Sequence, residues 1–375
     1  MDTPKYAIVQ EWIKNEINKG HYKDGEKIHS ENELMAKFNF SRQTIRLAIA
    51  NLEAQGYLEK IKGSGTYVRM SNTITEKESH IIGVILNDFN TFTHSEILRG
   101  IDKVLTKHNY NISLGITYNK FEKETHVLSS MIENNVDALI VEGCKTAVPS
   151  PNKEMYKQIK DKIPCLFING CNKELDMPII AVDDVAAGTM ATDYLINMGH
   201  KNIAAILKSD DIQGHKRYEG YVNSLIKANI NVNDNNIMWY NTEDSDDIFD
   251  IILKQVFFKR FINCSAVLCY NDTIAKKFIN LLTSVDIKPF DDISIISFGN
   301  SHIAQSLNIT SIDQPTFDLG VLAAENCLKL IKSNDATTEL LKPELVMRNS
   351  VHRRSFVSSW GDYSDMTYDN ILDEY

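Results

Sequence analysis

No apolar stretch among the 375 residues is long enough to cross a bilayer, and the opening MDTPKYAIVQEW is polar where an export signal would turn apolar. These absences disfavour a membrane partner and an exported solute receptor, and the cytoplasm is the expected compartment. Cysteine is sparse: Cys144, Cys165, Cys171, Cys264, Cys269 and Cys327 fall in or beside apolar runs, at spacings that form neither a disulfide framework nor a metal site. Reduced, buried thiols are the expectation. Also missing are a Walker A lysine loop, a GxSxG elbow and a GxGxxG after the first strand of the long module, and no aspartate has an evident nucleophile or metal partner. An α/β enzyme is the rival of another class, and it is left without machinery; no catalytic residue, cofactor or metal is expected.

Net positive charge is lacking too, at −10 for the whole chain. An average of that kind hides local asymmetry. Residues 1–70 hold 11 Lys and Arg against 9 Asp and Glu, a surplus of +2, so the remainder carries −12. With 43% hydrophobic residues the chain suffices for two cores. Its texture divides accordingly: residues 1–70, a polar linker over 71–80, an alternation of apolar strands and amphipathic helices over 81–353, and an acidic Ser/Asp/Tyr-rich tail over 354–375, in which Trp360, Tyr363 and Ile371 leave room for docking.

In the first region Val9, Ile13 and Ile17 recur every fourth residue, with Ile8 and Trp12 alongside, which predicts a helix ending near Gly20. Ser30 and Glu33 form a capping pattern ahead of a second helix that buries Leu34, Met35 and Phe38. Ser41 caps a third, in which Ile45, Ala48, Ile49 and Leu52 share one face while Arg42, Gln43 and Arg46 project from a neighbouring sector roughly 100° wide. The amino end of that helix offers a positive dipole, two guanidiniums that fork onto guanine or phosphate, and an amide that pairs with adenine. YLEKIKGSGTYVR then reads as two short strands, with Gly63 and Gly65 permitting a tight turn beside a sugar–phosphate edge and Lys60, Lys62 and Arg69 supplying charge.

Each piece alone is ordinary, since an arginine pair four apart is usually a solvated face and a GSG turn usually only a turn. Their order is more specific. SENELMAKFNFSRQTIRLAIANLEAQGYLEKIKGSGTYV resembles the winged helix-turn-helix of the GntR family across nearly its whole length. The resemblance implies a DNA-binding domain over 1–70 with its helix-turn-helix at about 30–49. Double-stranded operator DNA is the partner, contacted by Lys5, Asn32, Ser41, Arg42, Gln43, Thr44, Arg46, Lys62, Gly63, Ser64 and Gly65. His29 stands where the family commonly has proline and Asn39 where it has glycine; asparagine tolerates a left-handed turn, whereas the missing proline is expected to loosen the lead into the second helix.

The long module opens with HIIGVILND, an apolar strand, followed by a helical pattern through Ile97, Ile101 and Leu105. YNISLGITYN, VDALIVEG, IPCLFING, NIAAILKS, SAVLCYND and ISIISFGN repeat the unit, which predicts an α/β fold of parallel sheets with helices on both faces. Ligands of such sheets bind beyond the carboxyl ends of the strands, where this chain places Asn87 and Asp88, Glu142 and Lys145, Asp183 and Asp184, Asn271 and Asp272, and Asn300 with Ser301, with Arg217 near the start of a helix. Carboxylates, amides and a guanidinium suit a polyhydroxylated ligand, because each hydroxyl both donates and accepts. At any single position, turn or cap formation explains an Asp or Asn about as well. Glu142 and Lys145 are also candidates to pair with each other.

VDALIVEG, VDDVAAGTMATDYLINMGHKNIAAI, SAVLCYNDTIAKK, DDISIISFGNSHIAQSLNITSIDQP and PELVMRNS resemble the LacI/GalR effector domain from about Ile81 to Arg353. This resemblance implies a two-lobed, periplasmic-binding-protein-like pair of doubly wound sheets, a homodimer, and a small-molecule sugar effector that contacts or is framed by Asp88, Arg217, Asn271 and Gln314. Asn300 replaces the aspartate usual at its place. With Glu142, Lys145, Asp183 and Asp272, these make up the candidate ligand set. The union of the two domains is similar to that of arabinose-responsive regulators of Gram-positive bacteria, which implies L-arabinose as effector and repression as mode. Another sugar, a sugar phosphate or a purine, and activation in place of repression, remain alternatives within the regulator class.

Overall fold

Capping signals in the first region become helices where the sequence places them. The computed structural model describes residues 4–54, 56–69, 79–89, 92–244, 246–333 and 336–354. Residues 71–78 of the linker and residues 355–375 of the tail, with Trp360, Tyr363 and Ile371, lie outside the described residues. The chain divides into two units, 1–79 and 80–375.

In the first unit, α1 (Lys5–Asn18), α2 (Glu31–Phe38) and α3 (Arg42–Ala54) are followed by the antiparallel strands β1 (Leu58–Ile61) and β2 (Gly65–Val68). Ser30 Oγ accepts from Glu33 N at 3.3 Å while Ser30 N donates to the Glu33 carboxylate at 2.7 Å, a complete capping box. Asn39 ends α2 at φ 55°, in the left-handed region. Ile45, Ala48, Ile49 and Leu52 of α3 close on Val9, Ile13 and Leu34 in one core. In the lead into α2, His29 bonds the Tyr22 hydroxyl and sets its ring edge-on to Trp12 at 5.9 Å. The two expected strands form the hairpin, and the segment before α2 adds an isolated bridge along β2, where Ile28 N donates to Thr66 O at 3.0 Å and Val68 N to Glu26 O at 2.8 Å. Replacing Ser30 by alanine is expected to cost about 1 kcal/mol, read as a lower midpoint in the helical circular-dichroism melt.

The second unit holds two parallel sheets. One lobe contains β3 (Ile81–Leu86), α4 (Phe92–Lys107), β4 (Asn111–Ile116), α5 (Phe121–Glu133), β5 (Ala138–Val141), α6 (Lys153–Lys160), β6 (Cys165–Ile168) and β7 (Ile179–Val182). The other contains α7 (Asp184–Asn197), β8 (Ile203–Lys208), α8 (Ile212–Lys227), β9 (Ile237–Tyr240), α9 (Asp246–Val256), β10 (Ala266–Cys269), α10 (Asp272–Ser284), β11 (Ser294–Phe298), α11 (His302–Ser306) and β12 (Thr310–Asp313). The chain then returns to the first lobe for α12 (Thr316–Ser333) and β13 (Glu339–Leu341), and to the second for β14 (Glu344–Val346). The strand orders are β13-β7-β6-β5-β3-β4 and β14-β12-β11-β10-β8-β9, all parallel except β14 on β12. Each sheet is covered on both faces by separate apolar cores, as the continuous burial of strands such as Ala138–Val141 requires. All six cysteines are buried and free.

The three crossings between lobes use β7, β12, β13 and β14, strands of three or four residues that are too short to announce themselves by periodicity. They lie together at one edge of each sheet, and β4 and β9 lie at the opposite edges. Gly188 on α7 and Gly220 on α8 let these helices touch backbone to backbone: a Cβ on Gly188 would stand 2.3 Å from Arg217 O, and one on Gly220 2.3 Å from Val185 O. This close crossing sets Arg217 against the first turn of α7.

Candidate functional site

On the first unit, Arg42, Gln43 and Arg46 are exposed on α3, as their helical phase requires. Both guanidiniums are held toward α2: Arg42 Nη2 donates to Asn32 Oδ1 at 2.9 Å, and Arg46 Nε to Glu31 Oε2 at 2.8 Å. Glu31 also receives Lys60 Nζ from β1 at 3.3 Å. Burial raises the Glu31 carboxyl, but Arg46 and Lys60 prevail and hold it below the usual range. Ser41 caps α3 through Thr44 N at 3.3 Å and shares a hydrogen bond with the Thr44 hydroxyl. At the hairpin tip Gly63 has φ 83°, and a Cβ on Gly65 would stand 2.3 Å from Lys27 Cε. Lys27 Nζ reaches Ser64 O there, so Lys27 joins Lys62 near the tip. Lys5 sits 5.5 Å from the Phe40 ring, at the start of α1. Glu31 and Lys27 are the residues that sequence reasoning missed; their signal, charge on the faces toward α3 and the hairpin, exists only once the helices are packed.

In the second unit the polar residues beyond the strands separate into three groups. Glu142, after β5, is buried and accepts from Asn87 N at 2.9 Å, His94 Nε2 at 2.8 Å and Asn169 Nδ2 at 2.7 Å. Burial pushes its carboxyl up, but the His94 imidazolium and the three hydrogen bonds outweigh that and hold it at about 2. The same pair raises His94 against its own desolvation. Asp88 and Lys208 both act on His94, which places the end of β3 and the end of β8 around this group. His94 and Lys208 were not anticipated; Lys208 is the polar end of an apolar run, the very signal used for its neighbours.

The ion pair predicts a two-sided pH dependence. Glu142 stabilises the fold fully above the ordinary carboxyl range and loses that contribution as pH falls toward 2. His94 stabilises fully below about 6.5 and loses its contribution as pH rises through the raised folded value. The melting difference between wild type and His94→Gln is therefore expected to be largest at about pH 5–6.5 and to shrink on either side.

Arg217 and Gln314 form the second group. Arg217 is 3% exposed, donates to Asp184 Oδ1 at 2.8 Å and to Tyr270 O at 2.7 Å, and stacks against the Tyr270 and Phe298 rings at 4.8 and 4.5 Å. Gln314 lies at a crossing between lobes; its buried Nε2 has no hydrogen-bond partner among the described residues.

The third group is occupied internally. Asp183 caps α7, accepting from Ala186 N at 2.9 Å, and Asn271 caps α10, accepting from Ile274 N at 2.9 Å. Asp272 uses one oxygen on the Ser297 and Ser311 hydroxyls and the other on Ser301 N. Asn300 joins Asp313 and Arg348. Helix caps engage Asp183 and Asn271, and side-chain networks engage Asp272 and Asn300. Glu142 and Lys145 do not pair with each other, since Lys145 bonds Glu243.

That last pair belongs to a seam between the lobes. Asn119, after β4, donates to Asp211 Oδ1 at 3.2 Å and Thr242 Oγ1 at 2.6 Å and accepts from Lys145 N at 2.7 Å. Thr146 Oγ1 accepts from Ile212 N at 3.0 Å. Because β4 and β9 are the edges remote from the crossings, these bonds close the mouth of the cleft opposite its hinges. Among the described residues no group of three His, Cys, Asp or Glu side chains is arranged to hold a metal, and no helix is long and apolar enough to cross a membrane.

Both units match known families. Residues 5–68 match the model for bacterial regulatory proteins of the gntR family, and residues 192–351 that for a periplasmic binding protein-like domain. An arabinose metabolism transcriptional repressor of Halalkalibacterium halodurans is 30% identical over 360 residues, covering 92% of this chain and 96% of that protein. The chain belongs to the LacI/GalR-type regulators that carry a winged helix. A second arabinose metabolism transcriptional repressor, from Geobacillus stearothermophilus, is 31% identical over 354 residues, covering 92% of this chain and 97% of that one. The crystal structure of the regulator CcpA of Lactococcus lactis superposes with a TM-score of 0.65 at 27% identity, over 72% of this chain and 98% of that chain. This regulator is thus a DNA-binding transcription factor with a periplasmic-binding-protein-like effector module.

Proposed function

We propose that this regulator is a homodimeric repressor of sugar-utilisation genes, an arabinose repressor of the AraR type, that leaves operator DNA when L-arabinose binds between its lobes. The observation that carries the reading is the likeness to two arabinose metabolism repressors across both units at once. The chemistry of the cleft supports it. Gln314 presents an unpaired buried donor, Arg217 a guanidinium between aromatic faces, and the Glu142–His94 pair feels the charges of Asp88 and Lys208, an inventory suited to a compact polyol. DNA contacts fall to Lys5, Asn32, Ser41, Arg42, Gln43, Thr44, Arg46, Lys62 and the tip Gly63 to Gly65, which a dimer presents twice to a two-fold operator.

The test is fluorescence anisotropy of the purified protein on its own upstream intergenic DNA at fixed salt, titrated with L-arabinose, xylose, ribose and galactose. Release by L-arabinose alone supports the reading. Release by another sugar replaces the effector; tight binding that no sugar relieves removes the sugar from the proposal. Linkage requires DNA and effector to weaken each other by one factor. Asn119→Ala, which removes two bonds across the seam, is expected to weaken L-arabinose about tenfold while leaving sugar-free DNA affinity unchanged, as titration of both ligands would show.

A further inference from the structure

Leu47 breaks the pattern of α3. The other large aliphatic side chains of the helix, Ile45, Ile49 and Leu52, are at most 3% exposed, whereas Leu47 is 47% exposed. A single exposed leucine is ordinary on a protein surface; its neighbours make this one informative. At 100° per residue, Leu47 stands four positions beyond Gln43 on the same stripe, opposite the buried face. Arg42 and Arg46 are drawn aside onto Asn32 and Glu31 of α2, which leaves Gln43 and Leu47 as the untethered stripe of the helix. Gln43 makes no side-chain hydrogen bond among the described residues. An amide with free donor and acceptor beside a branched methyl group matches what an A·T pair displays in the major groove: adenine N6 and N7, and the thymine C5-methyl.

We infer that Leu47 is a base-reading residue, packing on the C5-methyl of a thymine adjacent to the adenine that Gln43 bonds, so that each half-site carries an obligatory thymine methyl. The inference rests on the reading that α3 enters the major groove.

The experiment begins with duplexes selected from a random-sequence pool by the full-length protein. Thymines of the selected site are then replaced singly by deoxyuridine, which removes only the methyl group, and affinity is read by anisotropy at fixed salt. Wild type is expected to lose about fourfold at one position per half-site, the worth of one buried methyl. Leu47→Ala, conservative on an exposed helix position, is expected to lose a similar factor on the thymine duplex and to be indifferent to deoxyuridine at that position. A tightly bound site at which wild type ignores every deoxyuridine, or at which Leu47→Ala and wild type lose equally, overturns this inference and leaves DNA binding intact. A pool from which nothing is enriched overturns the placement of α3 and the inference together.

Discussion

Arg217→Ala is expected to destabilise the unit that begins at residue 80 by about 3–5 kcal/mol, the usual consequence of stripping one partner from a buried ion pair. Asp184 is 1% exposed and would keep its charge, or take up a proton, with no cation beside it. Desolvation already raises its carboxyl, and Arg217 is the largest opposing influence. The Tyr270 carbonyl would lose its donor and two aromatic faces their stacked guanidinium. Denaturant unfolding of Arg217→Ala, of Asp184→Asn and of the double variant measures this: the double variant is expected to recover part of the loss, because it no longer buries an unpaired carboxylate. Loss of sugar response in Arg217→Ala alone would therefore not distinguish a missing ligand contact from a disturbed lobe. Arg217→Lys keeps the charge but loses the fork that reaches Asp184 and Tyr270 together, and it should separate the two.

Arg46→Ala is expected to lower operator affinity about a hundredfold for a dimer and to flatten the slope of log affinity against log salt by about 2. Two effects add at each head. On the proposed placement of α3 in the major groove, a guanidinium is lost there and Glu31, whose charge Arg46 now offsets, would face the phosphates with Lys60 alone. Glu31→Gln is expected to change affinity less than tenfold, since it frees Arg46 while removing a like charge from the path of the backbone. Salt titrations of both variants on one duplex check the pair; a slope unchanged in Arg46→Ala would remove Arg46 from the phosphate contacts.

Most of the first unit was legible because its determinants are local. Ser30 and Glu33 three residues apart, Asn39 at a left-handed position and the four-residue rhythm of Val9, Ile13 and Ile17 act within one turn of chain. The strands Ile81–Leu86, Ala138–Val141 and Ser294–Phe298 were legible for a similar reason, since burial on both faces forces an unbroken apolar run. The roles of the polar residues that end such runs were not. Asp183 and Asp272 share with Asp88 the same sequence signature, yet the first caps a helix and the second ties three neighbouring groups together. Asparagine and aspartate at a strand end satisfy backbone or ligand with the same atoms.

By itself the sequence determined the order of helices and strands, the two-unit division of charge and texture, the winged helix and the α/β class, all of which follow from period, caps and composition within a few turns of chain. Only the tertiary structure decided which partner each polar group takes. Glu142 meets His94 across 48 positions, Arg217 meets Asp184 across 33 and Asn119 meets Thr242 across 123. The second pairing depends on two glycines that let α7 and α8 touch and the third on the three short crossings that bring the lobes together, features of spacing in three dimensions that no local pattern encodes.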